Sequence, residues 1–515
     1  MHSLSDLPVT YRPVLIDTGV RASAARMPDK VALAMGEQSH TYAELVERMD
    51  RVANLAAGEL GLAKGDRAAL MAPNCLEFIE IVLGVAGAGG VTALVNPKLT
   101  PIELAYICND SGARVLFVHE SLVEIVEKAE LPTVERVVVI GSTGDYEGLV
   151  QAAKPEQPDV EIAEWDLFAL SYTAGTTGHP KGAMLSHRAR SLTFYAMMVE
   201  FGCYSQDDRA LATAPLYHGA GFAFAVAPIA FGGFTEIGPP RYDPEWTLRT
   251  LRDLELTNVF FVPTHFNAMF ALPEATLAEV RPKHLRTIIS NAAPLPQATK
   301  EKIVAYFGEG LLNETYGSTE GSIVTNLRPP DQLRKVQCVG HPIPNTEIKL
   351  LDDSGVEVGP NVVGELFSRS PYLFNGYWGQ PEATAESLRD GWFSAGDLAV
   401  KDDEGFIYIV DRKKDMIISG GVNIYPREIE EALHHHPAVK EAACVGVKDD
   451  YWGEALVAYV VVRGDAVLTQ EELVAFCEER LARYKLPKSI HFIAELPRNA
   501  AGKVLRRDLR DQETS

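Results

Sequence analysis

The sequence predicts an α/β protein of two domains, a large one of parallel sheets covered by helices and a small one at the C-terminus. Three observations carry this. Helical patterns alternate with short β-branched runs up to Val410. At 515 residues the chain exceeds one ordinary domain. After Val410 the character of the sequence changes.

The elements follow in order. "YAELVERMDRVANLAAGEL", Tyr42–Leu60, has the spacing of an amphipathic helix. "RAALMAP" and "ARVLFV" read as strands. "IVLGVAGAGGVTALV", Ile81–Val95, is the longest uncharged apolar run. It falls short of the ~20 residues that span a bilayer and reads as a buried helix running into a strand. "PIELAYICNDSGA" is a helix closed by glycine. "TNVFFVPTH" reads as a strand, and "HLRTIISNAAPLP" as a strand leading into a turn. "GFIYIVDRKKDMIISGG" crosses from strand to strand through the charged stretch Asp411–Asp415, where the domain boundary is placed. About 100 residues follow, enough for one small domain. They include "REIEEALHHH", "AACVGV", "ALVAYVVV" and "EELVAFCEERLARY".

Composition narrows the function. Apolar residues are 46% and charged residues 23%, as in a soluble globular enzyme. A net charge of −22 argues against a nucleic-acid-coating protein. The cysteines Cys75, Cys108, Cys203, Cys338, Cys444 and Cys477 are scattered, which argues against a zinc ribbon or disulfide framework and fits a reducing cytoplasm. "MHSLSDLPVTYRPVL" lacks a basic segment followed by an apolar run, so no signal peptide is expected. From Arg480 to Arg510 nine basic residues face two acidic ones, a local inversion suited to an anionic ligand or simply to a solvated face. His434–His436 fall at the end of a helix before Pro437, where cations favour the helix dipole, and are read that way rather than as metal ligands.

The chemistry starts at "SYTAGTTGHPKGAML", Ser171–Leu185. Small residues let backbone N–H groups approach phosphates, and Thr173, Thr176 and Thr177 add hydroxyl donors. A P-loop needs Gly-Lys followed by Ser or Thr; here Pro180 precedes Lys181 and Gly182 follows it, so that reading fails. Four further segments occur in order: "NETYGSTEG", "GWFSAGDLA", "DRKKDMIISGGVNIYPREIE" and "PRNAAGKVLRRDL".

Together these resemble the signature of the adenylate-forming (AMP-binding) superfamily, in its acyl-CoA synthetase branch, over nearly the whole chain. Ala174 stands where that signature normally carries serine. The resemblance implies a distorted barrel in the large domain (1–411), a hinge at 412–414 with Lys414 as pivot, and a mobile α+β small domain (415–515). It implies an ATP/AMP site of Thr173, Ala174, Gly175, Thr176, Thr177, Gly178, Lys181, Ala292, Ala293, Pro294, Tyr316, Gly317, Ser318, Thr319, Asp397, Arg412 and Lys503. In it Tyr316 stacks on the base, Thr319 meets the α-phosphate, Asp397 and Arg412 hold the ribose, and Glu320 is the magnesium ligand. Lys503, Glu320, Thr173 and His218 carry catalysis. His218, Gly219, His265, Phe266, Asn291, Ala292 and Gly317 line the acyl pocket, although a core histidine is an equal reading of His265. Gly420, Gly421, Trp452, Tyr484 and Lys488 face CoA.

The reaction implied is acid + ATP + CoA giving acyl-CoA, AMP and pyrophosphate, with ATP, Mg²⁺ and coenzyme A required. "PLYHGAGFAFAVAPIAFGG", Pro215–Gly233, has no acidic residue to hold an ammonium group, which favours an apolar acid: fatty, aryl, alicyclic or steroid-like. An acyl-AMP ligase loading a carrier protein and a non-catalytic nucleotide sensor are the alternatives. Partners beyond the three substrates are not implied, with homodimer formation left open.

Overall fold

The computed structural model describes residues 10–173, 180–419, 422–449, 452–464, 466–498 and 504–512. By packing the chain divides into two units, Met1–Ile348 with Ser368–Phe393, and Lys349–Phe367 with Ser394–Ser515. The fold is α/β, as the alternation of helical and β-branched runs predicts.

Two sheets organise the first unit. One of nine strands is parallel through its centre, where Asn258–Phe261, Thr287–Ser290 and Leu312–Ser318 lie side by side, and antiparallel at its margins. The other, of six strands, is parallel from Arg136–Ile140 to Leu167–Thr173 and ends in an antiparallel hairpin to Lys181–Ser186. The run read as a buried helix and strand is helix Leu76–Gly87 and strand Val91–Val95, buried throughout. Glycine closes helix Pro101–Ser111 as expected: Gly112 has φ +62°, a left-handed conformation that glycine adopts without a Cβ penalty.

Two boundaries differ from the sequence reading. The helix begun at Tyr42, capped by reciprocal bonds between Thr41 and Glu44, ends at Ala57 rather than Leu60, because Gly58 breaks it. "VPTH" leaves the strand at Phe261 and opens helix Pro263–Met269, proline being well suited to a first helical turn. In "EELVAFCEERLARY", to which the sequence reading gave no element, helix Gln470–Glu478 ends and a short 3₁₀ turn, Arg483–Lys485, follows, and Pro487 disfavours helix at the residue before it.

In the second unit, strand Gly364–Arg369 pairs antiparallel with Asp397–Lys401, which pairs with Ile407–Arg412. A five-stranded sheet follows, centred on the hairpin of Val439–Asp449 and Gly453–Val462. Its core holds Ile429, Leu433, Cys444, Leu456 and Leu473. All six cysteines are free thiols. Among the described residues no helix is long and apolar enough to cross a membrane.

Two buried histidines give the first unit a pH response. Burial pushes His187 down to about 4, with Asp17 opposing, and pushes His265 to about 4 as well. His187 Nδ1 accepts a hydrogen bond from the Ile16 N–H at 3.2 Å, which requires it unprotonated at that atom. Both pKa values lie below the unfolded value of about 6.5, so between pH 4 and 6.5 the unfolded chain binds more protons. Stability is therefore complete above about pH 6.5 and declines as pH falls toward 4, by up to ~3 kcal/mol for each histidine. Urea unfolding at pH 7 and 4.5 checks this; equal unfolding free energies would contradict it.

Candidate active site

Parallel strands present their carboxyl ends to one edge of the sheet, and in open α/β sheets that edge is where ligands bind. Here the segments leaving neighbouring strands are Thr213–His218, Val262–Phe266, Asn291–Pro294 and Tyr316–Glu320. Sequence reasoning singled out residues in all four, and the sheet sets them in spatial order. Asn291 Nδ2 donates to Thr315 Oγ1 at 2.7 Å, tying the third segment to the strand that leads into the fourth.

Glu320 is the centre of one cluster. It is buried, and its Oε1 accepts from Thr173 Oγ1 and from the Tyr377 hydroxyl, both at 3.0 Å. Burial first, and then the charge of Glu320, raise the Tyr377 pKa, so the phenol keeps its proton and donates. Lys181 Nζ lies 5.2 Å from the centre of the Tyr377 ring. Thr173 and Lys181 are themselves opposite partners in the hairpin that brackets the threonine-rich loop. The loop residues Ala174, Gly175, Thr176, Thr177 and Gly178 lie outside the described residues.

Tyr377 was not foreseen. Its segment, "PYLFNGYWGQPE", carries no signal beyond aromatic content, and its placement depends on a long-range bridge to Ala183. The Trp378 N–H donates to the Gly182 carbonyl at 2.8 Å and fixes the approach.

Gly317 is required for space. A Cβ there would stand 2.0 Å from the Ser322 carbonyl oxygen and 3.0 Å from Ile323 Cα, both backbone atoms that cannot turn away. The strand slips register at this point, between Tyr316 and Gly317. Gly317→Ala is expected to destabilise the fold by at least ~2 kcal/mol. A thermal midpoint equal to that of the unmodified chain would refute this. Ser318 Oγ accepts from the Gly321 N–H at 2.9 Å and shapes the turn that brings Thr319 and Glu320 round.

Ala292 has φ +78°, a conformation that non-glycine residues rarely adopt, and Ala292–Pro294 are exposed. His218 precedes helix Gly219–Ala230, which is apolar and buried. Its ring centre lies 4.5 Å from that of Tyr217. Asn74 holds the approach to this helix, accepting from the Leu216 N–H at 2.9 Å and donating to the Ala214 carbonyl at 3.3 Å.

His265 stacks on Tyr242 with ring centres 3.9 Å apart, and its Nδ1 lies 3.5 Å from Thr213 Oγ1. Phe266 is fully buried in a core cluster with Leu248, Val259 and Ile288. These two residues therefore share the architecture of the core.

In the second unit Asp397 and Arg412 are opposite residues of neighbouring strands, with Arg412 Nε 3.1 Å from Asp397 Oδ1. Two sequence motifs read separately thus converge on one ion pair. Asp411 accepts from the backbone N–H groups of Arg412 at 2.7 Å and Arg427 at 2.9 Å. Lys414 lies exposed in the tight turn where the Asp415 N–H meets the Arg412 carbonyl. Asp415 pairs with Arg510 at 3.0 Å and Arg506 at 3.6 Å. Trp452 and Tyr484 are partly exposed, and Lys488 Nζ stands 4.9 Å from the Trp452 ring centre. Lys485 is engaged by Glu428. Gly420, Gly421 and Lys503 lie outside the described residues.

The first unit thus holds a buried carboxylate, Glu320, accepting from two hydroxyls, and the second unit holds the Asp397–Arg412 ion pair. The chain belongs to the AMP-binding enzyme family, whose model matches residues 20–378, with the C-terminal domain model of that family matching 428–503. It is 38% identical to a feruloyl-CoA synthase of Amycolatopsis sp over 94% of this chain and 96% of that one. It is 35% identical to a long-chain-fatty-acid–CoA ligase of Escherichia coli O157:H7 over 99% and 97%. Among solved structures, the ATP-bound MatB of Rhodopseudomonas palustris aligns with a TM-score of 0.88 at 30% identity, covering 97% of this chain and 99% of that one. The protein is an AMP-forming acid–CoA ligase that uses ATP and CoA.

Proposed function

We propose that this ligase activates an apolar carboxylic acid, fatty or aryl, through an acyl-adenylate. A carboxylate is a poor electrophile because it is anionic and has no leaving group. One of its oxygens attacks the α-phosphorus of ATP, and the bond to pyrophosphate breaks. The thiol of CoA then attacks the acyl carbon and displaces AMP. The observation that carries the reading is the Glu320 cluster, with Thr173 and Lys181 at the two ends of the phosphate loop.

Each residue has a task. Lys181 and the loop threonines hold the pyrophosphate that leaves, Thr319 meets the α-phosphate, and Tyr316 stacks on the base. Asp397, oriented by Arg412, accepts from the ribose hydroxyls. Lys503 meets the negative charge that builds on the transferring phosphate. Glu320 suits magnesium: a single carboxylate beside a hydroxyl fits an ion that keeps its waters and binds substrate phosphates. When bound there, magnesium neutralises charge on the phosphates. The pivot is proposed at Lys414, and Gly420, Gly421, Trp452, Tyr484 and Lys488 are proposed to meet CoA.

The wholly apolar helix Gly219–Ala230 after His218 supports an apolar acid over an amino acid. The test is acid-dependent ATP–pyrophosphate exchange over ferulic, benzoic, octanoic, hexadecanoic and steroid-like acids, followed by thioester formation with free CoA. Exchange with none of them would sink the proposal. Exchange without CoA thioester, but with transfer to a phosphopantetheinyl carrier, would assign the acceptor as a protein.

A further inference from the structure

Arg190 lies in the first turn of helix His187–Phe201, on its buried side with Ala189, Ser191, Thr193 and Phe194. The residue is 7% exposed, yet among the described residues no carboxylate, carbonyl or hydroxyl accepts from its guanidinium. Burial alone pushes its pKa down to about 10, so it remains charged near neutrality. A buried cation without a counter-ion is strongly unfavourable, and such a group marks a place where an anion is to be received.

Its position says which anion. Arg190 Nη2 lies 3.6 Å from the point where a side chain on Gly219 would begin. The same point is 3.8 Å from Thr319 Cγ2 and 3.9 Å from Ser171 Oγ. Ser171 is 3% exposed, and its hydroxyl donates to no described group. A guanidinium and a buried hydroxyl thus converge on the space that a glycine leaves open. A carboxylate has two oxygens and needs several donors, and a guanidinium presents its N–H groups as a fork that matches it.

We propose that Arg190, with Ser171, receives the reacting carboxylate of the acid substrate in the space left by Gly219. This rests on the acyl-adenylate reading above, in which Thr319 meets the α-phosphate. The presence of Thr319 at the same point puts the anion at the reacting end of the acid, not at its far end. Once the carboxylate oxygen has bonded to phosphorus and pyrophosphate has left with the electron pair, the carboxylate charge is gone. Arg190 therefore serves capture and alignment of the acid and has no anion of this kind in the thioester step.

The experiment uses the full chain and the acid of the panel above with the highest exchange rate. Arg190→Met is expected to raise the KM for that acid about tenfold or more, with the KM for ATP within twofold of the unmodified enzyme. Thioester formation from the synthetic acyl-adenylate and CoA stays within twofold, and the thermal midpoint is unchanged or higher because an unpaired buried charge has been removed. Arg190→Lys recovers part of the acid affinity, and Gly219→Val, which covers the guanidinium, reproduces the acid-specific defect with Arg190 intact. An unchanged KM for the acid overturns the proposal. So does an equal loss in the thioester step, which would assign Arg190 to a second acidic group retained in the adenylate, and so does a lowered thermal midpoint, which would make it structural. Failure of exchange in the unmodified enzyme would instead strike the parent reading.

Discussion

Lys503→Ala is expected to lower acid-dependent ATP–pyrophosphate exchange at least ~100-fold, the loss associated with one well-placed donor to a developing negative charge. Attack on the α-phosphorus gathers charge at phosphorus and on the departing pyrophosphate, and a lysine aimed at that charge acts only while it is forming. Formation of thioester from a supplied acyl-adenylate involves no such charge on pyrophosphate and is expected to stay within a few-fold. Measuring both half-reactions on the same preparation separates the roles. An equal loss in both would remove Lys503 from the adenylation step and make it a general structural residue.

The second large effect is expected at Glu320. Its Oε1 accepts from Thr173 and Tyr377, so the carboxylate both organises the cluster and supplies its charge. Glu320→Gln keeps an oxygen acceptor for both hydroxyls while removing the charge. Unfolding free energy should therefore change by less than ~1 kcal/mol, whereas exchange should fall at least ~100-fold and require more magnesium for half-maximal rate. Glu320→Ala also leaves two hydroxyls without their acceptor and should cost a further ~1–3 kcal/mol of stability. Full exchange in Glu320→Gln at unchanged magnesium demand would show that the charge is not used.

The fold class was readable because hydrophobic period and chain length are local properties. Helix Tyr42–Ala57 and strand Ala113–His119 can be recognised from their own residues. Boundaries were harder. Gly58 and Pro263 decide where their elements end and begin, and the periodic pattern runs past both. Candidate residues could be picked out wherever a motif is contiguous, as at Tyr316–Glu320, but the pairing of Asp397 with Arg412 across one ladder is seen only in the fold. Tyr377 and Arg190 were not legible. Each owes its place to long-range packing, and an arginine in "SHRARSLTF" looks like any surface charge until the helix is seen buried.

The hairpin that brackets the proposed phosphate loop bears on how the enzyme can be engineered. Thr173 and Lys181 are directly paired, so seven residues span a gap whose width is fixed by the ladder and not by the ligand. The entropy of closing a loop rises slowly with length, by about 0.6 kcal/mol for each doubling. Lengthening this one by a residue or two is expected to leave the melting temperature almost unchanged, and on the proposed reading to lower pyrophosphate exchange. If the proposed phosphate role holds, thermal stability and activity are separately adjustable at this hairpin, and selection for robustness alone would not preserve the length of the loop.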